Sequence, residues 1–150
     1  MVTDQTVKPI EVLLVEDNSG DIRLTQEALE ESRLLVRLTI VRDGMEAMAY
    51  LRREGAHGGV VTPDLILLDL NLPKKDGREV LQEINTDPEL RKIPVAVLTA
   101  SETESDMLAS TGLYADCYVT KPVDMEQFIK IVKVSGEFWF TIVHRPSQGA

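Results

Sequence analysis

Two uninterrupted apolar runs in this chain end in acids, and that pairing narrows the fold more than anything else in the sequence. Val12-Leu13-Leu14-Val15 runs into Glu16-Asp17, and Leu65-Ile66-Leu67-Leu68 runs into Asp69. Short continuous apolar runs of this kind read as strands buried on both faces, as in a parallel sheet covered by helices. Parallel strands in an open α/β sheet deliver their C-terminal ends to one shared edge, so acids far apart in the chain converge there. Like charges so placed need a reason to coexist: either they share protons or a divalent cation sits among them.

The remaining pattern agrees with that architecture. Strand-like runs at Glu11–Val15, Val36–Val41, Leu65–Asp69, Val95–Thr99 and Cys117–Val119 alternate with segments of helical character, the rhythm of a parallel sheet with helices on both faces. Asn18 and Ser19 can cap a helix running to about Glu31, and Gly44 precedes another reaching Arg53. Val80, Leu81 and Ile84 share one face of a helix that starts after Gly77 and stops at Asp87-Pro88. The last helix opens with Asp124 and Gln127 as a variant capping box and carries an apolar stripe of Met125, Phe128, Ile129 and Val132. The glycine-rich segment Glu54–Pro63 reads as a flexible surface loop.

Size and charge then exclude whole classes. With 150 residues, 43% of them hydrophobic, the chain makes one ordinary domain with a real core. A net charge of −9, with no cluster of Lys and Arg, argues against tracking a phosphate backbone, so no direct nucleic-acid binding is expected. The lone Cys117 cannot form an internal disulfide and reads as a buried thiol. Met1 to Pro9 lacks the apolar core of a signal peptide, and no apolar stretch approaches the roughly 20 residues that span a bilayer. The reading is a soluble cytoplasmic protein with no membrane partner.

Two further strand ends complete the chemistry. Thr99 closes the fourth strand and Lys121 follows the fifth, so a hydroxyl and an ammonium reach the same edge as the acids. Both would bind the oxygens of a phosphoryl group carried on Asp69. Carboxylates are known nucleophiles in phosphoryl transfer, and a hard cation such as Mg²⁺, held by one or two of the acids, offsets the repulsion between acid and phosphoryl group.

At these residues the sequence resembles the response-regulator receiver domains of two-component signalling. The resemblance rests on Glu16-Asp17, on Leu68-Asp69-Leu70-Asn71-Leu72-Pro73 with Asp76-Gly77, on Thr99-Ala100 and on Lys121-Pro122, and it extends from about Ile10 to Ile131. It implies a flavodoxin-like (βα)5 doubly wound fold, a five-stranded parallel sheet of order 2-1-3-4-5. It also implies Asp69 as phosphoacceptor, Asp17 as principal Mg²⁺ ligand with Glu16 assisting, and the Asn71 backbone carbonyl as a further ligand. Thr99 and Lys121 would hold the phosphoryl group, Tyr118 would be an aromatic switch that follows Thr99, and the Lys121-Pro122 bond would be cis. Glu16 departs from the pattern, since many relatives carry Asp there, which leaves its metal contact direct or water-bridged.

A narrower resemblance runs through Val15-Glu16-Asp17-Asn18 with Gly20-Asp21-Ile22, through Leu72-Pro73-Lys74-Lys75-Asp76-Gly77, and through Phe138-Trp139-Phe140. These segments are similar to the stand-alone response regulators that partner phytochromes of the cyanobacterial type. The implied partner is a sensor histidine kinase of that type, and the resemblance implies for this protein no attached output domain and no enzymatic activity beyond its own phosphorylation and dephosphorylation. Residues 1–9 are then a disordered N-terminal segment, 10–134 the receiver domain, and 135–150 an extension of the last helix plus a tail. The apolar run Phe138, Trp139, Phe140, Ile142 and Val143 is hard to cover within one small domain and marks a homodimer contact.

Blander and rival readings stand beside these. Asp69 alone would be a helix cap or turn residue; its conjunction with groups from three other strand ends is what argues otherwise. Tyr118 alone would be a core aromatic. His57 and His144 lie far apart in sequence with no ligand spacing and read as solvated surface residues. An aspartate-nucleophile phosphatase needs a second acid two residues after the nucleophile, where Asn71 stands. A flavin- or dinucleotide-binding domain needs a phosphate loop after the first strand, where Glu16-Asp17 would repel the ligand.

Overall fold

The computed structural model describes residues 9–135. Five parallel strands, β1 (Ile10–Val15), β2 (Val36–Val41), β3 (Leu65–Asp69), β4 (Val95–Thr99) and β5 (Cys117–Thr120), form one sheet in the order β2-β1-β3-β4-β5. Five α-helices alternate with them: α1 (Ser19–Ser32), α2 (Gly44–Leu51), α3 (Gly77–Thr86), α4 (Glu102–Ala109) and α5 (Met125–Ser135). This is the flavodoxin-like order. Residues 1–8 and the run Phe138-Trp139-Phe140, with His144, lie outside the described residues, so the expected disordered start and dimer contact are not described.

Strand side chains alternate between two faces, and both faces are covered. Leu13 and Val15 of β1, with Ile66 and Leu68 of β3, pack into one core with Val80, Leu81 and Ile84 of α3. Val12 and Leu14, with Leu65 and Leu67, pack into the other with Ile22 and Leu29 of α1 and Phe128 of α5. Burial on both sides is why these strands read as continuous apolar runs.

The helix starts are fixed by side chains. Asn18, Asp43 and Ser101 accept from the backbone N–H three residues on in α1, α2 and α4. Asp76 and Glu79 form a full capping box at α3, and Asp124 with Gln127 forms the expected reciprocal pair, at 2.8 and 3.0 Å. Gly77 is required by space: a Cβ there would lie 2.3 Å from the Asp69 carbonyl oxygen and 2.6 Å from the Leu70 Cα. The α3 start is thus pressed directly onto the acidic end of β3.

Four sequence expectations are corrected. The second helix stops at Leu51 rather than Arg53, because Arg53 takes a left-handed backbone with φ of 56°. The buried face of α5 is Phe128, Ile131 and Val132, with Met125 exposed, so the stripe is turned relative to the expected one. Cys117 is half-buried rather than buried, since β5 is the outer strand; burial, with Asp116 beside it, still pushes the thiol up to about 11. His57 ends a 3-10 turn within the 54–63 loop and is half-covered by Tyr50, with ring centroids 5.4 Å apart.

Candidate functional site

The C-terminal ends of β1 and β3 bring three acids together. A carboxylate oxygen from each of Glu16, Asp17 and Asp69 lies within 4.8 Å of the other two. Glu16 and Asp69 are buried and Asp17 is exposed. The acid that follows β1 directly is therefore the one driven inward, and its neighbour faces solvent. One oxygen of Glu16 accepts from the Asn18 N–H at 3.2 Å, and Asp69 Oδ1 accepts from the Asn71 N–H at 3.4 Å.

Lys121 enters from the far side of the sheet. Its Nζ lies 3.4 Å from Glu16 Oε1, 3.1 Å from Asp21 Oδ2 and 3.4 Å from Asp69 Oδ1. The Lys121–Pro122 peptide is cis, and the Lys121 N–H donates to the Thr99 carbonyl at 2.8 Å, which ties the turn to β4. Burial favours a neutral amine here, but the hydrogen bond to Asp21 and the charges of Asp69 and Glu16 outweigh it and raise the lysine above its ordinary pKa. The ammonium stays charged.

Glu16 moves in the opposite sense from a typical surface acid. Burial, then the hydrogen bond and charge of Asp69, push it up to about 7, against a smaller lowering by Lys121 and the Asn18 N–H. Without a cation, Glu16 therefore holds its proton more tightly than an ordinary carboxyl group does. The donor set is also the kind a small hard cation takes: oxygens only, one carboxylate open to water and two buried. These three side chains fit such an ion.

Thr99 is fully buried, but its hydroxyl is turned to its own neighbours. Oγ1 lies 3.0 Å from Ser105 Oγ of α4 and 3.4 Å from the Val119 carbonyl. Tyr118 is half-buried, level with Val97 in the β4–β5 register and packed against the α3 side of the core. It lines a shallow groove between α4, β5 and α5 with Ser105, Gln127 and Lys130.

Sequence reasoning missed three participants. Asp21 reaches Lys121 across the sheet edge, and only its place in the first turn of α1 hinted at a role. Ser105 holds Thr99 and left no signal. Glu104 stands at the fourth position of Ser101-Glu102-Thr103-Glu104, a legible capping pattern, but its partners lie beyond its own helix.

This fold, with acids and a lysine meeting at one sheet edge, defines a class. The response regulator receiver domain family matches residues 12–133, and the chain belongs to it. Response regulator Rcp1 of Synechocystis sp. is 47% identical over 146 residues, which cover 97% of this chain and 99% of that protein. The Mn²⁺-bound form of Rcp1 has been solved and superposes with a TM-score of 0.71 at 48% identity, over 93% of this chain and 100% of that one. The phosphorylated cyanobacterial phytochrome response regulator RcpA is 54% identical with a TM-score of 0.73, covering 89% of this chain and 96% of that one. The bacteriophytochrome response regulator RtBRR gives a TM-score of 0.84 at 43% identity, over 95% of this chain and 86% of that one. The protein is a receiver-type response regulator related to those of phytochromes.

Proposed function

We propose that this response regulator is a phosphorylation switch in which Asp69 accepts a phosphoryl group from the phosphohistidine of a sensor kinase, in a Mg²⁺-dependent step. The observation that carries the reading is the meeting of Glu16, Asp17 and Asp69 oxygens within 4.8 Å, with the Lys121 ammonium 3.4 Å from Asp69. In the transfer, an Asp69 carboxylate oxygen forms a bond to phosphorus as the histidine N–P bond breaks, and the departing nitrogen keeps the bonding electrons. Magnesium bound by Glu16, Asp17, Asp69 and the Asn71 carbonyl would supply charge neutralisation for that approach.

The protein's own groups do the rest. Lys121 is already charged beside Asp69 and exchanges carboxylate oxygens for phosphoryl oxygens with little movement. Thr99 must leave Ser105 to donate to the same oxygens, which frees the first turn of α4 and lets Tyr118 repack in the groove beside it. Hydrolysis of the acyl phosphate resets the switch. The phosphatase reading is not favoured: the position two residues after Asp69 is Asn71, which cannot serve as a general acid.

The relatives' names point to a phytochrome as the kinase. Among the described residues no helix is long and apolar enough to cross a membrane, and we place the switch in the cytoplasm as a signalling protein rather than an enzyme acting on a separate substrate. Net charge supports a role without direct nucleic-acid contact. Homodimerisation through Phe138, Trp139 and Phe140 rests on their apolar character; Trp139→Ala should halve the mass seen by light scattering at micromolar concentration, and an unchanged mass removes the tail from the interface. The central test is Asp69→Asn, which should abolish labelling by phosphorylated kinase. Labelling retained in that variant defeats the acceptor assignment.

A further inference from the structure

Glu104 stands on the first turn of α4, outside the acid cluster, and gathers three donors. Its Oε1 accepts from the Ala100 N–H at 2.8 Å. Its Oε2 accepts from the Asn71 side-chain amide at 3.4 Å and lies 3.6 Å from the Arg78 guanidinium. The N-cap is Ser101, and Glu104 reaches past it to Ala100 while also touching the loop after β3 and the start of α3. Reaching past the N-cap to the preceding N–H is shared with Glu46 of α2, which accepts from Arg42 at 3.1 Å; the contacts to Asn71 and Arg78 are what set Glu104 apart.

Those donors belong to the neighbourhood of Asp69. The β3–β4 register pairs Asp69 with Leu98, so Thr99 and Ala100 continue past the level of Asp69 on the adjacent strand. Asn71 makes the link directly: its backbone N–H donates to Asp69 Oδ1 at 3.4 Å while its side chain holds Glu104. A backbone N–H at one oxygen of a carboxylate, with a primary amide and a guanidinium at the other, forms a receptor for anionic oxygens. The side chain of Glu104, 19% exposed, now occupies it.

We propose that Glu104 is an internal competitor of the phosphoryl group, a positioning residue that holds the Ala100 and Asn71 donors until an anion on Asp69 displaces it. The inference rests on Asp69 being the acceptor. A dianion arriving beside Glu104 both repels its carboxylate and offers the same donors more acceptor oxygens. Expulsion of Glu104 removes the tie between α4 and the β3–α3 loop. Phosphoryl affinity and the release of α4 are then one event.

Beryllofluoride, titrated into the protein at saturating Mg²⁺, is the probe, with Mg²⁺ affinity measured separately. Glu104→Ala should bind beryllofluoride about tenfold more tightly than the parent, since one charge-assisted competitor is gone. Glu104→Gln, which keeps an acceptor oxygen but no charge, should gain about threefold and serves as the isosteric check on folding. Mg²⁺ affinity should stay unchanged in both. A residue that merely stabilised α4 would lower anion affinity when removed, so equal or weaker beryllofluoride binding in both variants overturns the proposal while leaving Asp69 as acceptor. Absence of binding in the parent itself removes the acceptor reading and this inference together.

Discussion

On the β1–β3 side of the functional edge, every residue of β3 is buried, and α3 begins so close that Gly77 leaves no space for a methyl group against Asp69. On the β4–β5 side, α4 buries only Leu108 and is otherwise held by polar contacts: Ser105 to Thr99, and Glu104 to Ala100 and Asn71. β5 has one buried residue, Val119. Close packing resists small displacements, whereas polar ties can be exchanged one for one. The side that carries the acids is therefore built to stay, and the side that carries Thr99 is built to be re-tied.

Truncation in each core is the severest way to break that contrast. Leu68→Ala, in the fully buried centre of β3, should cost about 4 kcal/mol in denaturant unfolding, while Leu108→Ala should cost about 2 kcal/mol, because a thinly packed helix can settle into the space. Equal costs would show α4 to be as firmly packed as β3.

An intermediate effect comes from Glu16. Its folded value of about 7 lies above the ordinary 4.5, so the folded state prefers the protonated acid. That contribution to stability is complete below pH 4.5 and is lost as pH rises through 7. Metal-free protein should thus melt progressively lower across that window, by several degrees. Added Mg²⁺ should stabilise more at pH 8 than at pH 5, since ligation needs the deprotonated carboxylate. Thermal melts with and without the ion test both signs, and a Mg²⁺ effect that does not depend on pH would remove Glu16 from the cation's surroundings.

Ser105→Ala should give the smallest change in stability, about 0.5 kcal/mol, because Thr99 keeps the Val119 carbonyl as partner. Hydrogen exchange should still quicken in α4 while β3 amides stay protected. Exchange quickening equally in both would mean the two sides are a single unit.

How much of this was legible depends on whether the signal is local. Apolar runs closed by Glu16, Asp17, Asp69 and Thr99 are local, and the parallel sheet follows from them. Asp76-Gly77 and Asp124 with Gln127 carry their helix starts in a few residues. The pairing of Lys121 with Asp21 is not local, since it depends on where five strands come to rest. Helix α4 left little trace because, with Leu108 alone buried, it has no apolar period to detect. The α5 face was misjudged because Met125, an apolar residue beside the N-cap, sits at the helix mouth in solvent rather than over the sheet. Glu104 shows the division within one residue: the Ser-x-x-Glu pattern is visible, whereas its contacts to Asn71 and Arg78 are tertiary.

Lys121, lodged among Glu16, Asp21 and Asp69, gives the resting protein a tethered counterion of its own. The pocket does not have to wait for a diffusible cation before its negative charge is balanced, so scarcity of magnesium leaves the architecture standing and only the chemistry idle. On the proposed phosphorylation of Asp69, a bound ion would take over that duty and leave the ammonium within reach of the new oxygens.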